Sequence, residues 1–361
     1  MRPIHVLVDS FADAGLPNAQ MGNAREIVCR MDPEQFHVSM FLLGQPDTRI
    51  AARPNTRLIR LPARGQTAWI LREFLLGAHD VLFYMKSSPA SRWYCSLRNK
   101  WSDRRTTIAT IESQSDLKRE PSLRAEAVEL WEQTILRCDL LYSNSRSAQE
   151  SLLREYGLRS GIIPTGVETS FFSPDWARPQ NRRAHVLFVG SLRPYKQPQL
   201  VLDAAARFPT SEFRIAGEGP LGPQLAQRIA DEGLQNVSLL GLLSAERLRQ
   251  EYRQADIFLF PSYWEGSPKV ILEAAASGLP VIARSDYSPE TVIHGSTGFL
   301  ASNNSEILDY LGCLLSEPEL RREFGTNGRH LSEKYDWGII TAQWMRVFEQ
   351  VSRNRQYSKV S

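Results

Sequence analysis

At 361 residues, 42% hydrophobic and 23% charged, the chain has the length of two domains and the composition of an ordinary globular protein. A formal net charge of +3 is too small to argue for a nucleic-acid partner, and no apolar run approaches the roughly 20 residues that span a bilayer. Cys29, Cys95, Cys138 and Cys313 are far apart and form no metal-ligand spacing. With no signal peptide evident, they point to a reducing cytoplasm. No Asp-x-Asp occurs, so a metal-held diphosphate has no obvious ligand set and no metal or other cofactor is expected.

Ile4 to Val8 reads as an apolar strand, and the loop from Asp9 carries Gly15, Pro17 and Gly22. A helix from about Asn23 to Arg30 precedes strands at His37 to Leu43 and Leu58 to Leu61. Trp69 to Leu76 has helical spacing, and Val81 to Tyr84, Ile108 to Ile111 and Leu140 to Tyr142 continue the strands, with a helix over 122–137. Strands alternating with helices imply a parallel, doubly wound sheet.

Within 92–105, Arg92, Arg98, Lys100, Arg104 and Arg105 face only Asp103, and Trp93, Tyr94, Leu97 and Trp101 interleave with them. Such a basic, aromatic helix can lie on an anionic membrane surface. It can equally pack its aromatics on the sheet with its charges solvated. One short cluster without a nucleic-acid motif is poor evidence for RNA or DNA.

Pro164, Pro174 and Pro179, in a polar stretch without periodicity, mark a domain boundary. The expected division is 1–168 and 169–336, with the C-terminal segment 337–361 crossing back onto the first domain. His185 to Val189 starts a second sheet, followed by a glycine turn at Gly190, the basic residues Arg193 and Lys196, and a helix. The strand and turn around Gly217-Glu218-Gly219, a strand at Val237 to Leu240 and a helix up to Ala255 come next. Gly295 to Leu300 is a turn into a short strand, helices cover 305–315 and 317–334, and Trp337 to Val351 is a final amphipathic helix.

The most informative stretch is 257–284. Ile257 to Phe260 reads as a buried strand, Ser262 to Gly266 as a polar loop, and Ser267-Pro268 as an N-cap with proline at the first helical position. Gly278 ends the helix, and Pro280 to Ala283 is the next strand. The loop therefore sits at the carboxyl end of a strand, where open α/β sheets bind ligands. Glu265 lies in it; Glu273 lies eight residues on, inside the helix, with Lys269 as its one basic neighbour at helical spacing. Glu273 is either half exposed and paired with Lys269, or buried and in need of hydrogen-bond partners such as a vicinal diol. Eight helical steps would separate the two carboxylates by about 12 Å, beyond the roughly 5 to 9.5 Å of a glycosidase pair, which suits two grips on one long ligand.

EGSPKVILEAAASGLPVIA resembles the Glu-x7-Glu signature of family 4 (group 1) retaining glycosyltransferases. The resemblance implies the GT-B fold: two Rossmann-like, doubly wound parallel-sheet domains facing a central cleft. It implies that Glu273 holds the ribose hydroxyls of a nucleotide sugar and Glu265 the hydroxyls of the transferred sugar, with Gly266, Ser267 and Pro268 contacting sugar and phosphate. Lys196 matches the family's diphosphate-binding lysine; Ser191 stands where the arginine is usual, and Arg193 can substitute for it. Gly22 corresponds to the glycine loop near the donor phosphates, or is simply a helix-start glycine. The backbone at Leu242 and Leu243 would meet the base. Glu112 occupies the strand end where many members have a histidine, and can act as a base toward the acceptor hydroxyl or be a solvated strand-end residue.

The implied activity is that of a metal-independent hexosyltransferase. It would move a hexosyl or N-acetylhexosaminyl group from a nucleotide sugar, UDP-linked, to a carbohydrate or lipid-linked acceptor in glycan or cell-envelope polysaccharide synthesis. The first domain would bind the acceptor and the second the donor, in the cytoplasm or peripherally at the inner face of the membrane. A nucleotide-sugar 2-epimerase of the same fold, and a non-catalytic nucleotide-sugar-binding subunit, are the alternatives.

Overall fold

The computed structural model describes residues 2–15, 19–98, 105–112, 125–177 and 183–357, with side chains to 353. The chain divides into two compact units, Met1–Thr165 with Trp337–Ser361, and Gly166–Asp336.

In the first unit the elements run β1 (Ile4–Phe11), α1 (Ala19–Arg30), β2 (Phe36–Leu42), α2 (Thr48–Ala52), β3 (Thr56–Arg60), α3 (Gln66–Leu76) and β4 (Val81–Phe83). Then come α4 (Pro89–Leu97), β5 (Thr106–Ile111), α5 (Ala125–Thr134), β6 (Leu140–Ser143), α6 (Arg146–Tyr156) and β7 (Gly161–Ile162). The strands form one parallel sheet of order β3-β2-β1-β4-β5-β6-β7. Side chains alternate between its faces: Val6 and Val8 pack with Ala24, Ile27 and Phe83, while Leu7 packs with Phe41, Phe74 and Leu82. Burial on both faces is why these strands read as nearly continuous apolar runs.

The second unit runs β8 (His185–Val189), α7 (Pro198–Arg207), β9 (Glu212–Ala216), α8 (Gly222–Asp231), β10 (Val237–Gly241) and α9 (Ala245–Gln254). It continues with β11 (Ile257–Phe260), α10 (Lys269–Ala276), β12 (Val281–Arg284), β13 (Gly298–Ala301), α11 (Asn304–Ser316) and α12 (Pro318–Glu333). Its sheet is parallel, of order β10-β9-β8-β11-β12-β13. The last helix, α13 (Trp337–Tyr357), belongs to the first unit, where Trp344 meets the Phe83 ring at a tilt and Phe348 meets it edge-on. Two doubly wound parallel sheets in one chain are the Rossmann-like pair of the GT-B class. No helix among the described residues is long and apolar enough to cross a membrane.

Four local expectations change. Gly22 is not in a loop: α1 begins at Ala19, so Gly22 lies in its first turn. Ser267 does not cap α10. Pro268 occupies the cap position, its ψ of 112° being extended, and no side chain accepts a capping hydrogen bond there. The helix expected over 122–137 is described from Ala125 and gives way to a 3-10 turn at Ile135–Arg137. The 92–105 stretch is not one basic helix, because α4 ends at Leu97. Tyr94 is fully buried, Arg98 binds Asp139 and Thr107, and Arg105 binds the carbonyls of Leu75 and Gly77, so two of the five basic side chains serve the unit's own packing. Lys100, Trp101, Asp103 and Arg104 lie outside the described residues.

The end of α10 matches its sequence reading. Gly278 has φ +76°; its N–H donates to Ala275 O and that of Leu279 to Ala274 O, a pairing that satisfies the last helical carbonyls. The small residues of α10 have a packing role as well. A Cβ on Gly325 of α12 would lie 2.1 Å from Gly278 O, so the two helices approach at backbone contact.

Candidate functional site

In both sheets the strand order reverses once, between β1 and β4 and between β8 and β11, and the carboxyl ends of such strands form the usual ligand crevice. In the second unit the loop after β8 carries Gly190, Arg193 and Lys196, and the loop after β11 carries Ser262 to Pro268. The reversal places these loops side by side although they are about seventy residues apart in sequence. The Tyr263 N–H donates to Tyr195 O at 3.1 Å. Lys196 Nζ donates to Glu265 Oε1, and Ser262 Oγ donates to the same oxygen at 2.5 Å. The ammonium also lies 4.9 Å from the Phe260 ring centre and 5.4 Å from that of Tyr195. Both members of the pair are largely sheltered, at 13% and 12% side-chain exposure, so the interaction is screened less than a surface ion pair.

Glycines make the approach of these loops feasible. Gly217 has φ +138°, and a Cβ there would lie 1.9 Å from Gly190 O. A Cβ on Gly219 would lie 2.6 Å from Leu192 O. The Gly217-Glu218-Gly219 turn thus seats the 190–192 loop. At the end of β10, the Leu242 N–H meets Glu218 Oε1 at 3.4 Å; Leu242 is exposed, and Leu243 packs partly into the core. Arg193 is exposed at the start of the 3-10 turn that carries Lys196.

Glu273 is buried on α10, at 6% exposure, with different partners from Glu265. Tyr252 on α9 donates its hydroxyl to Glu273 Oε2 at 3.2 Å, and Lys269 Nζ stands 3.8 Å from Oε1. Burial pushes the carboxyl above its usual range, and Lys269 and Tyr252 pull it part of the way back. The carboxylate is therefore both buried and paired with Lys269, which merges the two sequence readings. Gly266 and Ser267 are half-buried, Pro268 is buried, and all three join Glu265 to the start of α10.

Several polar groups here were not anticipated. Tyr252 stands four residues after Leu248 on α9, so its inward direction was legible as an i, i+4 pair. Ser262 was one polar residue in a polar loop, with no signal for its partner. Tyr287 is buried, its hydroxyl has no hydrogen-bond partner among the described residues, and burial, followed by the charges of Glu265 and Asp286, raises its phenol well above the usual range. Gln197 Oε1 is likewise buried and without a partner among the described residues, one residue from Lys196.

The matching edge of the first unit holds Asp9, Tyr84, Lys86 and Glu112. Tyr84 has φ +62°, a left-handed conformation that costs a bulky residue on the order of 1–3 kcal/mol and persists where surrounding structure enforces it. Its hydroxyl donates to Glu112 Oε1 at 2.5 Å. Burial raises the Glu112 carboxyl, opposed by hydrogen bonds from Tyr84, Asn23 and Thr110. Asn23 follows Gly22 on α1, so the first turn of that helix reaches Glu112. Asp9 accepts the Lys86 N–H at 2.9 Å, and burial pushes it up to about 6. Glu112 is thus held in a polar cluster at the sheet edge and is not a solvated strand-end residue.

The model of the family described as glycosyl transferases group 1 matches residues 174–331. That segment is a group 1 glycosyl transferase domain. The chain is 31% identical over 258 residues to D-inositol 3-phosphate glycosyltransferase of Corynebacterium glutamicum, covering 64% of this chain and 62% of that protein. It is 31% identical over 247 residues to the GDP-mannose-dependent alpha-(1-6)-phosphatidylinositol monomannoside mannosyltransferase of Mycolicibacterium smegmatis, covering 60% of this chain and 63% of the other. The chain thus spans a little under two thirds of the length of these relatives. Among solved structures, sucrose-phosphate synthase of Thermosynechococcus elongatus superposes with a TM-score of 0.81 at 19% identity, covering 98% of this chain and all of that one. HepE of Anabaena, solved with UDP and glucose, gives 0.74 at 18% identity, covering 96% of this chain and all of HepE. These two likenesses concern the fold. The group 1 domain contains every second-unit residue of the site described above.

Proposed function

We propose that the chain is a retaining glycosyltransferase that moves a hexosyl or N-acetylhexosaminyl group from a UDP-linked sugar to a carbohydrate or lipid-linked acceptor in glycan or cell-envelope polysaccharide synthesis. The observation that carries this reading is the Lys196–Glu265–Ser262 contact at the β8/β11 reversal, inside the group 1 glycosyl transferase domain. Glu265 would take hydroxyls of the transferred sugar, and Glu273, buried beside Tyr252 and Lys269, would take the ribose diol. Lys196, Arg193 and the first turn of α7 would offset the charge on the leaving diphosphate, a role that needs no metal. The second unit is then the donor domain and the first the acceptor domain.

The names of the relatives support sugar transfer, and the UDP bound to HepE, and to TarM of S. aureus, supports the choice of base. Among the described residues no side chain is placed as an evident covalent nucleophile, so same-face attack, with the departing phosphate taking the acceptor proton, is the mechanism proposed. Exposed Trp93 and Arg92 on α4 are the groups that would meet a membrane carrying a lipid-linked acceptor at the inner face, with the protein otherwise cytoplasmic.

The test is incubation of the full chain with UDP-glucose, UDP-galactose, UDP-N-acetylglucosamine and GDP-mannose, each with and without an oligosaccharide acceptor, followed by proton NMR of the anomeric region. An α-linked product from a UDP sugar is expected. A β-linked product overturns retention, turnover of GDP-mannose alone overturns the base, and an epimer formed without acceptor favours the epimerase reading. Unchanged activity in Glu265→Ala and Glu273→Ala would remove both carboxylates from the mechanism.

A further inference from the structure

One cavity of the second unit lies away from the reversal, at the opposite ends of the same strands. Asp256 immediately precedes β11, Pro280 immediately precedes β12, and both line it. Its floor is the end of α10. Ser277 is 3% exposed, and its Oγ has no hydrogen-bond partner among the described residues. A buried hydroxyl without a partner is costly, and a ligand hydroxyl in the cavity would satisfy it. One wall is Trp176. Its indole stands over Gly278 so closely that a Cβ there would lie 2.7 Å from Cη2, yet 48% of the residue remains exposed. The ring is thus braced on one side and free on the other, as a stacking platform requires.

The charges around the cavity decide what kind of ligand fits. Arg253, Arg321 and Arg322 line it together with Asp175, Asp256 and Glu319. Three cations and three anions give no net attraction for a phosphate. Arg321 is engaged with the carbonyls of Leu314 and Leu315 at the end of α11. Guanidinium and carboxylate groups lining the same cavity beside an aromatic face suit a neutral, polyhydroxylated ring: hydroxyls donate to carboxylates and accept from guanidinium groups while the C–H face of the ring lies on indole. An apolar peptide would offer these charged groups no hydrogen-bonding partner, and a nucleotide would meet three carboxylates.

We infer that this cavity is a second carbohydrate-binding site, taking one or more neutral sugar units on Trp176 and Ser277, separate from the Lys196–Glu265 site. It does not depend on the catalytic reading, since its lining is independent of Glu265, Glu273 and Lys196.

Saturation-transfer NMR on the full chain with maltohexaose, cellohexaose and isomaltohexaose tests it, with inorganic phosphate and UDP as separate titrants. Transfer from at least one hexaose is expected, with a Kd on the order of 1 mM. W176A should weaken it at least tenfold and S277A severalfold, while UDP binding stays unchanged in both. The inference is overturned if no hexaose gives transfer, if W176A leaves transfer unaltered, if UDP displaces the sugar, or if phosphate binds in a Trp176-dependent way. Should W176A melt before the titration temperature, W176F decides: it retains a ring, so binding weaker than wild type but present supports the site, and binding equal to wild type overturns it.

Discussion

The two sheets reverse strand order in the same way, yet the carboxylates at the two reversals sit in different surroundings: one is bound directly by a lysine, the others feel a lysine only through space and are dominated by burial. At the β8/β11 edge, Glu265 meets an ammonium and a hydroxyl, so its charge is answered where it stands. At the β1/β4 edge and the neighbouring end of β5, Glu112 and Asp9 are buried among a phenol, amides and a backbone N–H, and burial pushes both upward although the Lys86 charge opposes it. One topology thus delivers a carboxylate bound by a lysine in one unit and carboxyls raised by burial in the other. The sheet supplies position; the residues packed around each carboxylate decide what it meets there.

Removal of the cation should produce the largest effect. In K196A, Glu265 loses its ionic partner, and on the proposed reaction the leaving diphosphate would lose a cation. Donor turnover should fall by roughly 10²- to 10³-fold, the usual loss for one electrostatic stabiliser. If UDP release is unaffected, the charged half of the contrast is wrong. Next in size is the pH dependence set by Asp9. With a carboxyl raised from 3.8 to about 6, the native state binds this proton more tightly than the unfolded chain, so stability should fall as pH rises between those values, by about 3 kcal/mol in all. Asn in D9N can still accept the Lys86 N–H. Urea melts at pH 4, 5 and 6 should show a shallower decline in D9N than in wild type; parallel curves would mean that Asp9 ionises like an exposed carboxylate.

A subtler change sharpens the Glu112 side. The Tyr84 hydroxyl holds the carboxylate down against the larger influence of burial. Y84F should therefore move the acidic limb of the turnover profile to higher pH, a shift that simple destabilisation of the fold would not give. The smallest contrast concerns helix starts. Ser145 accepts the Ala148 N–H and caps α6, whereas α10 begins from Pro268 without a side-chain cap. S145A should cost about 1 kcal/mol and S267A less than about 0.5 kcal/mol in thermal or urea unfolding.

Much of the architecture was legible because strands buried on both faces produce long apolar runs separated by glycine and proline. α6 escaped notice because only Ala148, Ser151 and Leu152 of its eleven residues are buried, which leaves a weak stripe. α2 is five residues long, too short for any periodicity. The Ser267 cap was misread because Ser-Pro before an apolar run has the composition of a helix start, while the extended ψ at Pro268 delays the first turn by a residue. In the candidate site the spacing of Glu265 and Glu273 was visible, as was Lys196. Their partners were not, since Tyr252 and Ser262 are brought in by the crossing of separate β-α units. Tyr84 was still harder to foresee: its left-handed backbone leaves no trace in residue type.

The return of α13 to the first unit bears on how the protein is made. Ala24, Ile27, Val28 and Phe83 share their apolar cluster with Trp337, Ile340, Trp344 and Phe348, residues that leave the ribosome after the whole of Gly166–Asp336. During synthesis the second unit can close on its own contiguous segment, whereas the first must wait with that face uncovered. A chain stopped after Asp336 would carry an intact group 1 glycosyl transferase domain tethered to an unfinished neighbour, the species a chaperone or a protease would meet first.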